Sequence, residues 1–224
     1  MRLTRVVRGS MAIVPLLRTA KRVDGKATPE ELVSISQNCA AIRSVQVTSE
    51  FEALANLVKD HQCRSLLEIG TYWGGTLFVF SQVAARDATV ISLDCAFNLF
   101  GKLCRVGQKV FFRGLVRRGQ KLLLFDSDSH KPESLAAIES KLKGNKLDFL
   151  FIDGDHSYEG VKQDFKMYAP LVRSGGIIAF HDVAHDTETK KVHRFWEEIK
   201  GQYQHREFIH KTGKGAMGIG VVWV

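Results

Sequence analysis

The sequence predicts an α/β fold in which helices cover both faces of a doubly wound, mainly parallel sheet. Short continuous apolar runs alternate along the chain with segments of helical period. The runs lack the polar alternation of half-exposed strands, which indicates that both faces of the sheet are buried. Polar or glycine-rich residues follow each of the first five runs, as expected where loops meet at one edge of a parallel sheet.

The predicted strands are apolar runs bounded by polar residues. Five parallel strands are predicted at 65–69, 89–94, 121–126, 147–153 and 175–182. Two further runs near the C-terminus, 204–210 and 216–224, are joined by a short connection. They are predicted to pair antiparallel at one edge of the sheet.

The predicted helices begin at residues that commonly cap helices. Thr28 and Glu31 have the spacing of a capping box, with Pro29 in the first turn, and predict a helix to about residue 41. The stretch Ser49–Glu52 repeats this signal and predicts a second helix to about residue 61. Further helices are predicted at 75–85, 107–118, 132–142, 158–172 and 187–200.

Size and composition limit the class of protein. A chain of 224 residues, 45% of them hydrophobic, accommodates one α/β domain with a sizeable core. No apolar run is long enough to cross a bilayer. The four cysteines lack C-x-x-C spacing and the chain lacks a signal-peptide pattern, which favours reduced thiols in a cytoplasmic protein. An organellar targeting segment is the alternative interpretation of the arginine-rich N-terminus.

The net charge of +8 is concentrated in two segments that contain no acidic residue, 1–22 and 95–125. Residues 1–27 are predicted to be a loosely ordered basic arm, because Pro15 is expected to interrupt a helix there. Within 101–121, basic residues recur at every fourth position and predict a stripe along one helix flank. The simplest interpretation is a solvated face, and the functional alternative is attraction of an anionic acceptor or a membrane surface.

The ends of the predicted strands supply candidate ligand-binding residues. Gly70 and Gly74 allow the backbone to turn sharply and to approach a ligand. A Walker loop is excluded because no G-K-[ST] follows, and the NAD-type G-x-G-x-x-G is also absent. Asp94, at the end of the second strand, is placed to accept hydrogen bonds from ribose hydroxyls. The pattern therefore predicts a nucleoside ligand without requiring a pyrophosphate.

Several stretches resemble one known family. The glycine loop "LLEIGTYWGGT", the acid that ends the second strand and "LVRSGGIIAFHDV" resemble class I S-adenosylmethionine-dependent methyltransferases. The stretch "FIDGDHSYEGVKQDFKMYAPLVRSGGIIAFHDV", with "SDSHKPESL" and "HRFWEEIK", is similar to the subgroup that contains cephalosporin-hydroxylase-like proteins and macrolide-sugar O-methyltransferases. The resemblance implies a Rossmann-like seven-stranded sheet, parallel with one antiparallel edge strand. It covers about 47–224, the predicted methyltransferase domain, and leaves 1–46 as a basic arm and helical cap.

The resemblance implies S-adenosylmethionine as cofactor and assigns its wall to the ends of the first four strands. Asp94 would hold the ribose hydroxyls, Asp128 and Ser129 would lie near the adenine, and Asp153 would stand beside the methyl group. The full implied set of cofactor-binding residues is Glu68, Gly70, Thr71, Tyr72, Gly74, Asp94, Asp128, Ser129 and Asp153.

The same resemblance implies the candidate catalytic residues Asp153, His156 and His181. Some relatives hold a divalent metal such as Mg²⁺, and the matching ligands here are Asp153, His181 and Asp182. His181 stands where those relatives usually have an acid, and histidine shifts the preference away from Mg²⁺. The alternative is a metal-free site in which His156 or His181 is the general base.

Structural roles compete with some of these assignments. Glu68 could cap the following helix, His156 could cap the helix near Ser157, and Asp155 could form an Asx turn. Trp73 could pack in the interior or form a wall of the ligand site. The sequence does not separate these roles.

The leading functional hypothesis is methylation of a hydroxyl group on a small metabolite or sugar, with an anionic acceptor included. An RNA methyltransferase is the second hypothesis, but no N-P-P-[YF] tetrapeptide or added RNA-binding module is present. A non-catalytic binding module is the third, and an oxygenase using His156, His181 and Asp182 is the fourth. Acceptor specificity is expected to lie in 1–46, 95–106 and 183–193, and the oligomeric state stays open, a homo-oligomer included.

Overall fold

The computed structural model of the chain describes residues 14–95, 110–210 and 217–224. Parts of several predicted features lie outside the described residues: 1–13 of the basic arm, 96–106 of the predicted specificity loop, 107–109 of a predicted helix and residue 216 of the last predicted strand. None of the helices in the described ranges combines the length and the hydropathy needed to cross a membrane.

The described residues form a seven-stranded sheet with the strand order β3-β2-β1-β4-β5-β7-β6. Strands β1 to β5 pair in parallel, and β7 is antiparallel to both β5 and β6. The predicted α/β sheet is confirmed, and the antiparallel strand lies one place inside the edge that β6 forms. The strands are β1 (Ser65–Ile69), β2 (Thr89–Asp94), β3 (Lys121–Asp126), β4 (Leu147–Ile152), β5 (Val172–His181), β6 (Gln204–Phe208) and β7 (Ile219–Trp223).

The helices lie between the predicted strands, as expected. The predicted capping box of α2 is confirmed, because the Thr28 side chain accepts from the Glu31 N–H and the Glu31 side chain accepts from the Thr28 N–H. The predicted cap of α3 is wrong, since that helix begins at Thr48 without a side-chain cap. The helices are α1 (14–23), α2 (Pro29–Asn38), α3 (Thr48–Asp60), α4 (Gly75–Val83), α5 (110–113), α6 (Pro132–Leu142), α7 (Tyr158–Tyr168) and α8 (Val192–Ile199).

The expected loosely ordered arm is wrong for residues 14–23, which form α1. Pro15 lies within the first described turn, and Leu16 and Ala20 are buried in the core. Their spacing of four places both side chains on one helix face. Most of the stability of a short helix comes from packing an apolar face, so tertiary contacts explain a helix that the local sequence did not predict. The division of the chain at residue 46 stays a prediction.

The described part of the predicted basic stripe, from Arg113 to Lys121, does not lie along one helix flank. Helix α5 ends at residue 113. Arg117 lies after this helix, and its guanidinium donates to the Ala84 carbonyl at 3.1 Å. The Arg117 guanidinium also lies 3.6 Å from the Asp24 carboxylate, and Lys121 begins β3. Arg117 is therefore held by internal partners and not by solvent alone. Two residues of the predicted stripe lie outside the described residues: Arg105 and Lys109.

The hydrophobic core is divided between the two faces of the sheet. Leu66, Phe149 and Phe151 point toward the cluster that includes residues of α1 to α4. Leu67 and Leu150, which alternate with them along β1 and β4, point toward the cluster that includes residues of α6 to α8. Because both faces are covered, the strands are continuous apolar runs, and the predicted helices on both faces are confirmed.

The register of the parallel strands brings their carboxyl ends to one level. Ile69 at the end of β1 is paired with Leu93 of β2 and with Ile152 of β4. Just past the strands, the Gly70 N–H donates to the Leu93 carbonyl and the Asp153 N–H donates to the Ile69 carbonyl, both at 2.9 Å. The loops that follow these strands therefore start side by side, where ligands bind in sheets of this type.

Candidate active site

A cavity of about 640 Å³ opens at the carboxyl ends of the parallel strands. Its wall comes from the loops after β1, β2, β3 and β4, from the end of β5 and from residues 43–46 before α3. A volume of this size lies within the usual range for small-molecule sites. The predicted convergence of strand ends on one hollow is therefore present in the structure.

The loop between β1 and α4 turns sharply at glycine. Gly70 has a φ of 91°, in the left-handed region that favours glycine. A Cβ at this position would overlap the Asp153 carbonyl oxygen and would lie 2.8 Å from the Gly154 Cα. Glycine is thus required both by the backbone conformation and by the close passage of the loop after β4.

The Asp94 carboxylate is fixed at the cavity wall by the glycine loop. Its Oδ2 accepts the backbone N–H of Tyr72 at 2.6 Å. Burial raises the pKa of Asp94, and the N–H groups of Tyr72 and Thr71 act in the opposite direction. Thr71 is held in turn by a 2.6 Å hydrogen bond between its hydroxyl and that of Ser92. The arrangement presents a positioned acceptor to a ligand in the cavity.

Glu68 lies next to the cavity wall but not in it. Its side chain is 3% exposed, and neither carboxylate oxygen has a hydrogen-bond partner among the described residues. Burial raises the pKa of Glu68 to about 8, while the nearby hydroxyls of Thr76 and Thr71 act in the opposite direction. The alternative role as a helix cap is wrong, because α4 has no side-chain cap hydrogen bond.

The loop after β3 forms the opposite wall with Asp128, Ser129 and His130. The Asp128 carboxylate accepts the His130 N–H at 2.9 Å, and the Tyr168 hydroxyl donates to the Ser129 carbonyl at 2.7 Å. Beneath this loop, Asp164 is fully buried and lies 3.4 Å from the His130 imidazole. Burial raises the pKa of Asp164 to about 6.

Four side chains at the other end of the cavity place one ligand atom each within 4.8 Å of one another: Asp153, His156, His181 and Asp182. The His181 Nδ1 lies 2.8 Å from Asp153 Oδ1, and the His156 Nδ1 lies 2.6 Å from Asp182 Oδ2. A carboxylate only accepts hydrogen bonds, so each imidazole donates through its Nδ1. The structure thus brings together all three predicted catalytic residues and all three predicted metal ligands.

The electrostatics of this cluster follow from its mixed charge. For His181, burial lowers the pKa, but the neighbouring Asp153 carboxylate and then Asp182 outweigh burial and raise it. For Asp182, burial raises the pKa, but the hydrogen bond from His156, the charge of His181 and the Lys190 ammonium hold it well below its usual range. The Nε2 of His181 is buried and has no partner among the described residues. In this cluster the imidazoles of His156 and His181 donate and the carboxylates of Asp153 and Asp182 accept, all at one end of the cavity.

Two members of this site were missed by sequence reasoning. Gln46 donates from its side-chain amide to Asp153 Oδ2 at 2.8 Å, and the Lys190 ammonium lies 2.6 Å from Asp182 Oδ2. Neither residue belongs to a motif, and Gln46 is 107 positions from Asp153 in the chain. Both nevertheless fall in segments that we expected to determine acceptor specificity, 1–46 and 183–193.

The competing structural roles are now resolved for the loop after β4. Ser157, not His156, caps α7, because its side chain accepts the Gly160 N–H at 3.0 Å. The capping role of His156 is therefore wrong. The Asx turn at Asp155 is confirmed, since its carboxylate accepts the Ser157 N–H at 2.9 Å.

The aromatic residues of the glycine loop face the cavity. Trp73 is 50% exposed and Tyr72 is 64% exposed, with ring centroids 5.4 Å apart. Both line the cavity, so interior packing of Trp73 is excluded. An exposed aromatic pair beside a polar cluster offers apolar contact area to a bound molecule.

Most of the predicted site residues line the cavity, and the others support its wall. Glu68 and Asp182 are buried directly behind the wall, and Gly74 is the N-cap of α4. The predicted residues that line the cavity are Gly70, Thr71, Tyr72, Asp94, Asp128, Ser129, Asp153, His156 and His181.

Comparison with curated proteins finds partial similarity. The chain is 32% identical over 140 residues to the uncharacterised protein R132 of Acanthamoeba polyphaga mimivirus. The matched region covers 59% of this chain and 58% of that protein. It is 27% identical over 128 residues to a Dictyostelium discoideum protein named probable caffeoyl-CoA O-methyltransferase 3. This matched region covers 57% of the chain and 47% of that protein. The chain thus spans less than two thirds of the length of these relatives.

The fold and a family profile give the broader assignment. The structure resembles an O-methyltransferase from Bacillus cereus in complex with S-adenosylhomocysteine, with a TM-score of 0.60 and 22% identity over 93% of this chain and 100% of that chain. The sequence profile of the family described as Methyltransferase domain matches residues 67–183, which is more than half of the chain. Because this match spans more than half of the chain, the chain belongs to the family described as Methyltransferase domain.

Proposed function

We propose that this enzyme methylates a hydroxyl oxygen of a small molecule, with the acceptor held beside Asp153, His156, His181 and Asp182. The observation that carries this proposal is the convergence of two carboxylates and two imidazoles at one end of the cavity. Transfer to oxygen requires removal of the hydroxyl proton, for which an amine acceptor has less need. Similarity to proteins named as O-methyltransferases supports the same chemistry.

The cofactor brings an activated methyl group, so the protein has to align the acceptor and receive its proton. When bound, the cofactor would supply this methyl group, and the acceptor oxygen would be held beside it by Asp153, His156, His181 and Asp182. The assignment of Asp94 to the ribose and of Asp128 and Ser129 to the adenine stays a prediction. The positions of these residues in the cavity wall support it.

His156 is the better placed of the two candidate bases. Its side chain is 29% exposed, whereas that of His181 is 2% exposed. The Nδ1 of His156 donates to Asp182, and its Nε2, which lies 3.7 Å from Asp153 Oδ1, is left to accept the proton of the acceptor hydroxyl. His181 donates to Asp153 and is better suited to holding that carboxylate in place. In the metal-free form of the site, we therefore assign proton removal to His156.

The donor set also fits a divalent metal ion. Two carboxylates and two imidazoles lie close enough to share one ion, and the buried Nε2 of His181 lacks a partner among the described residues. Imidazole ligands favour transition metals over Mg²⁺. When bound, such an ion would lower the pKa of the acceptor hydroxyl and fix its oxygen. Asp153, His181 and Asp182 would hold it, and His156 would then be either a ligand or the base.

Lys190 opposes metal binding at this cluster. Its ammonium lies 2.6 Å from Asp182 Oδ2, one of the two carboxylate oxygens that a cation could bind. The Lys191 N–H donates to the His156 carbonyl at 2.8 Å, which fastens this loop beside the site. A divalent ion bound by Asp182 would therefore have to displace or tolerate a fixed positive charge.

Metal binding can be tested by titrating nickel and magnesium into chelator-treated protein and measuring heat. We expect nickel to bind more tightly than magnesium, and Lys190→Met to tighten nickel binding by about fivefold or more, because a neighbouring like charge is removed. His181→Gln should weaken nickel binding far more than magnesium binding. Lys191→Met removes the same charge one residue away and should leave both affinities nearly unchanged. Equal affinities for both metals in every variant would contradict the assigned ligands.

Cofactor binding can be tested by calorimetry with S-adenosylhomocysteine. Asp94→Asn should weaken binding by about 10- to 100-fold, because hydrogen bonds to a charged group contribute about 1.5–3 kcal/mol and each 1.4 kcal/mol is about tenfold. Asp126→Asn is the matched control, since Asp126 is paired with Asp94 across β2 and β3 but does not line the cavity. Equal losses of S-adenosylhomocysteine affinity in both variants would contradict a specific role of Asp94 in cofactor binding.

Methyl transfer itself can be tested by measuring S-adenosylhomocysteine formation with a panel of hydroxyl-bearing acceptors. Sugars, catechols and their carboxylated forms cover the neutral and anionic classes. Activity that needs the acceptor hydroxyl would support the proposal. Activity only on amines would contradict the proposed transfer to oxygen. Activity only on RNA, with a steep salt dependence, would instead indicate an RNA methyltransferase.

A further inference from the structure

Glu68 is a buried carboxylate without a partner. Its side chain is 3% exposed, and neither oxygen accepts a hydrogen bond from the described residues. Removing an ionised carboxylate from water without a compensating partner is strongly unfavourable, and such groups change their protonation state instead. In the ligand-free fold, Glu68 is therefore expected to keep its proton.

The surroundings of Glu68 reinforce this expectation. The ionisable side chains that act on it are Asp153, after β4, and Asp94, at the end of β2, and both are acids. From α4 and the glycine loop, the uncharged hydroxyls of Thr76 and Thr71 act on Glu68 in the opposite direction and lower its pKa. Burial is the largest influence, and with the two acids it outweighs the opposing effect of the Thr76 and Thr71 hydroxyls and raises the pKa of Glu68 to about 8. No cation is among these influences.

The position of Glu68 links this proton to the cofactor site. Thr71 and Thr76 line the cavity, and their hydroxyls also act on the buried Glu68 carboxyl group. The methionine part of the cofactor carries an ammonium group, and S-adenosylmethionine adds a sulfonium. A positive charge bound in the cavity beside Thr71 and Thr76 favours the ionised form of the neighbouring Glu68 carboxylate, since charges interact strongly in a weakly polarisable interior.

We propose that Glu68 is neutral in the empty cavity and gives up its proton to solvent when the cofactor binds. The carboxyl O–H bond breaks, the proton leaves to buffer, and the carboxylate becomes the counter-charge of the bound cation. The inference rests on the cofactor site described above and adds a proton to its binding equilibrium. Cofactor affinity then rises with pH across the neutral range, because protons compete with the cofactor for the negative charge.

The proton can be counted by calorimetry of S-adenosylhomocysteine binding at pH 7 in buffers of different ionisation enthalpy. Wild type is expected to release about 0.9 proton more than Glu68→Gln, the fraction expected for a group with a pKa of about 8. Glu139→Gln, an exposed residue of α6, is the matched control and should release as many protons as wild type. No binding heat in wild type would refute the cofactor site itself. Binding with equal proton counts in wild type and Glu68→Gln would overturn this inference alone.

Infrared difference spectroscopy gives a second measurement that needs only the wild-type protein. Adding S-adenosylhomocysteine should remove the carbonyl stretch of one protonated carboxyl group and add a carboxylate band. This result would support the inference even where Glu68→Gln fails to fold. Unchanged carboxyl bands at saturating ligand would overturn it.

Discussion

Replacing Gly70 with alanine is expected to lower the free energy of unfolding by about 4 kcal/mol or more and to abolish cofactor binding. The added Cβ would lie 2.5 Å from the carbonyl carbon of Asp153 and 2.8 Å from the Cα of Gly154. Both contacts are with backbone, so no side chain can rotate to make room. The loop after β4 would have to move, and Asp153 would move with it. Urea unfolding and calorimetry with S-adenosylhomocysteine measure the two effects.

Gly144→Ala is the matched control for this substitution. Gly144 has a φ of 83°, close to the 91° of Gly70, but a Cβ there would meet nothing within 4 Å. The control therefore isolates the cost of a left-handed residue, about 1–2 kcal/mol, from the cost of the backbone overlap. Similar losses of stability in the two variants would mean that the loops after β1 and β4 are not in contact as described.

Glu68→Gln is expected to become more stable relative to wild type as the pH rises, by up to about 5 kcal/mol. The pKa of Glu68 is raised from 4.5 to about 8 in the folded protein. The folded state of wild type therefore binds this proton more tightly than the unfolded chain does. Its contribution to stability is fully present below about pH 4.5 and is lost as the pH rises through about 8. The amide of glutamine does not titrate, so the variant avoids this loss.

The measurement is the free energy of unfolding in urea at a series of pH values from about 4 to about 9. Other groups with raised pKa values, such as Asp164, titrate in both proteins and cancel in the difference. Glu139→Gln should follow the wild-type curve. Parallel curves for wild type and Glu68→Gln would show that Glu68 is charged throughout, which contradicts its burial without a partner.

The expected effects of Glu68 on stability and on cofactor binding have opposite signs. If Glu68 is the counter-charge of the bound cofactor, the carboxylate that helps binding is destabilising in the ligand-free protein. Residues that destabilise a fold without their ligand are common at functional sites, since the ligand provides the missing interaction. Glu68→Gln should therefore produce a more stable protein that binds its cofactor more weakly.

Much of the fold could be predicted because its signals are local. Continuous apolar runs identified β1 to β5 to within a few residues, and Thr28 with Glu31 identified the start of α2. Errors arose where packing outweighed the local signal. Pro15 suggested a break where the burial of Leu16 and Ala20 stabilises α1. The regular spacing of basic residues predicted a helix that continues to about residue 118. In the structure, α5 ends at residue 113.

The candidate site was predictable only in part. Asp153, His156, His181 and Asp182 follow the ends of β4 and β5, and the parallel pairing of these strands brings them together. Gln46 and Lys190 come from segments that connect elements of the sheet, and no periodicity marks such residues. The state of Glu68 also required the structure, because burial and the lack of a partner are properties of the packed interior.

The sequence by itself determined the order of strands and helices, the glycine turn and the acids at the strand ends, because these depend on side-chain periodicity and backbone freedom over a few residues. Tertiary structure alone decided that Gln46 holds Asp153, that Lys190 competes for Asp182, that β7 lies inside β6, and that Glu68 is left without a partner. Each of these depends on contacts between residues distant in the chain, and their geometry is fixed only when the sheet and its covering helices pack together.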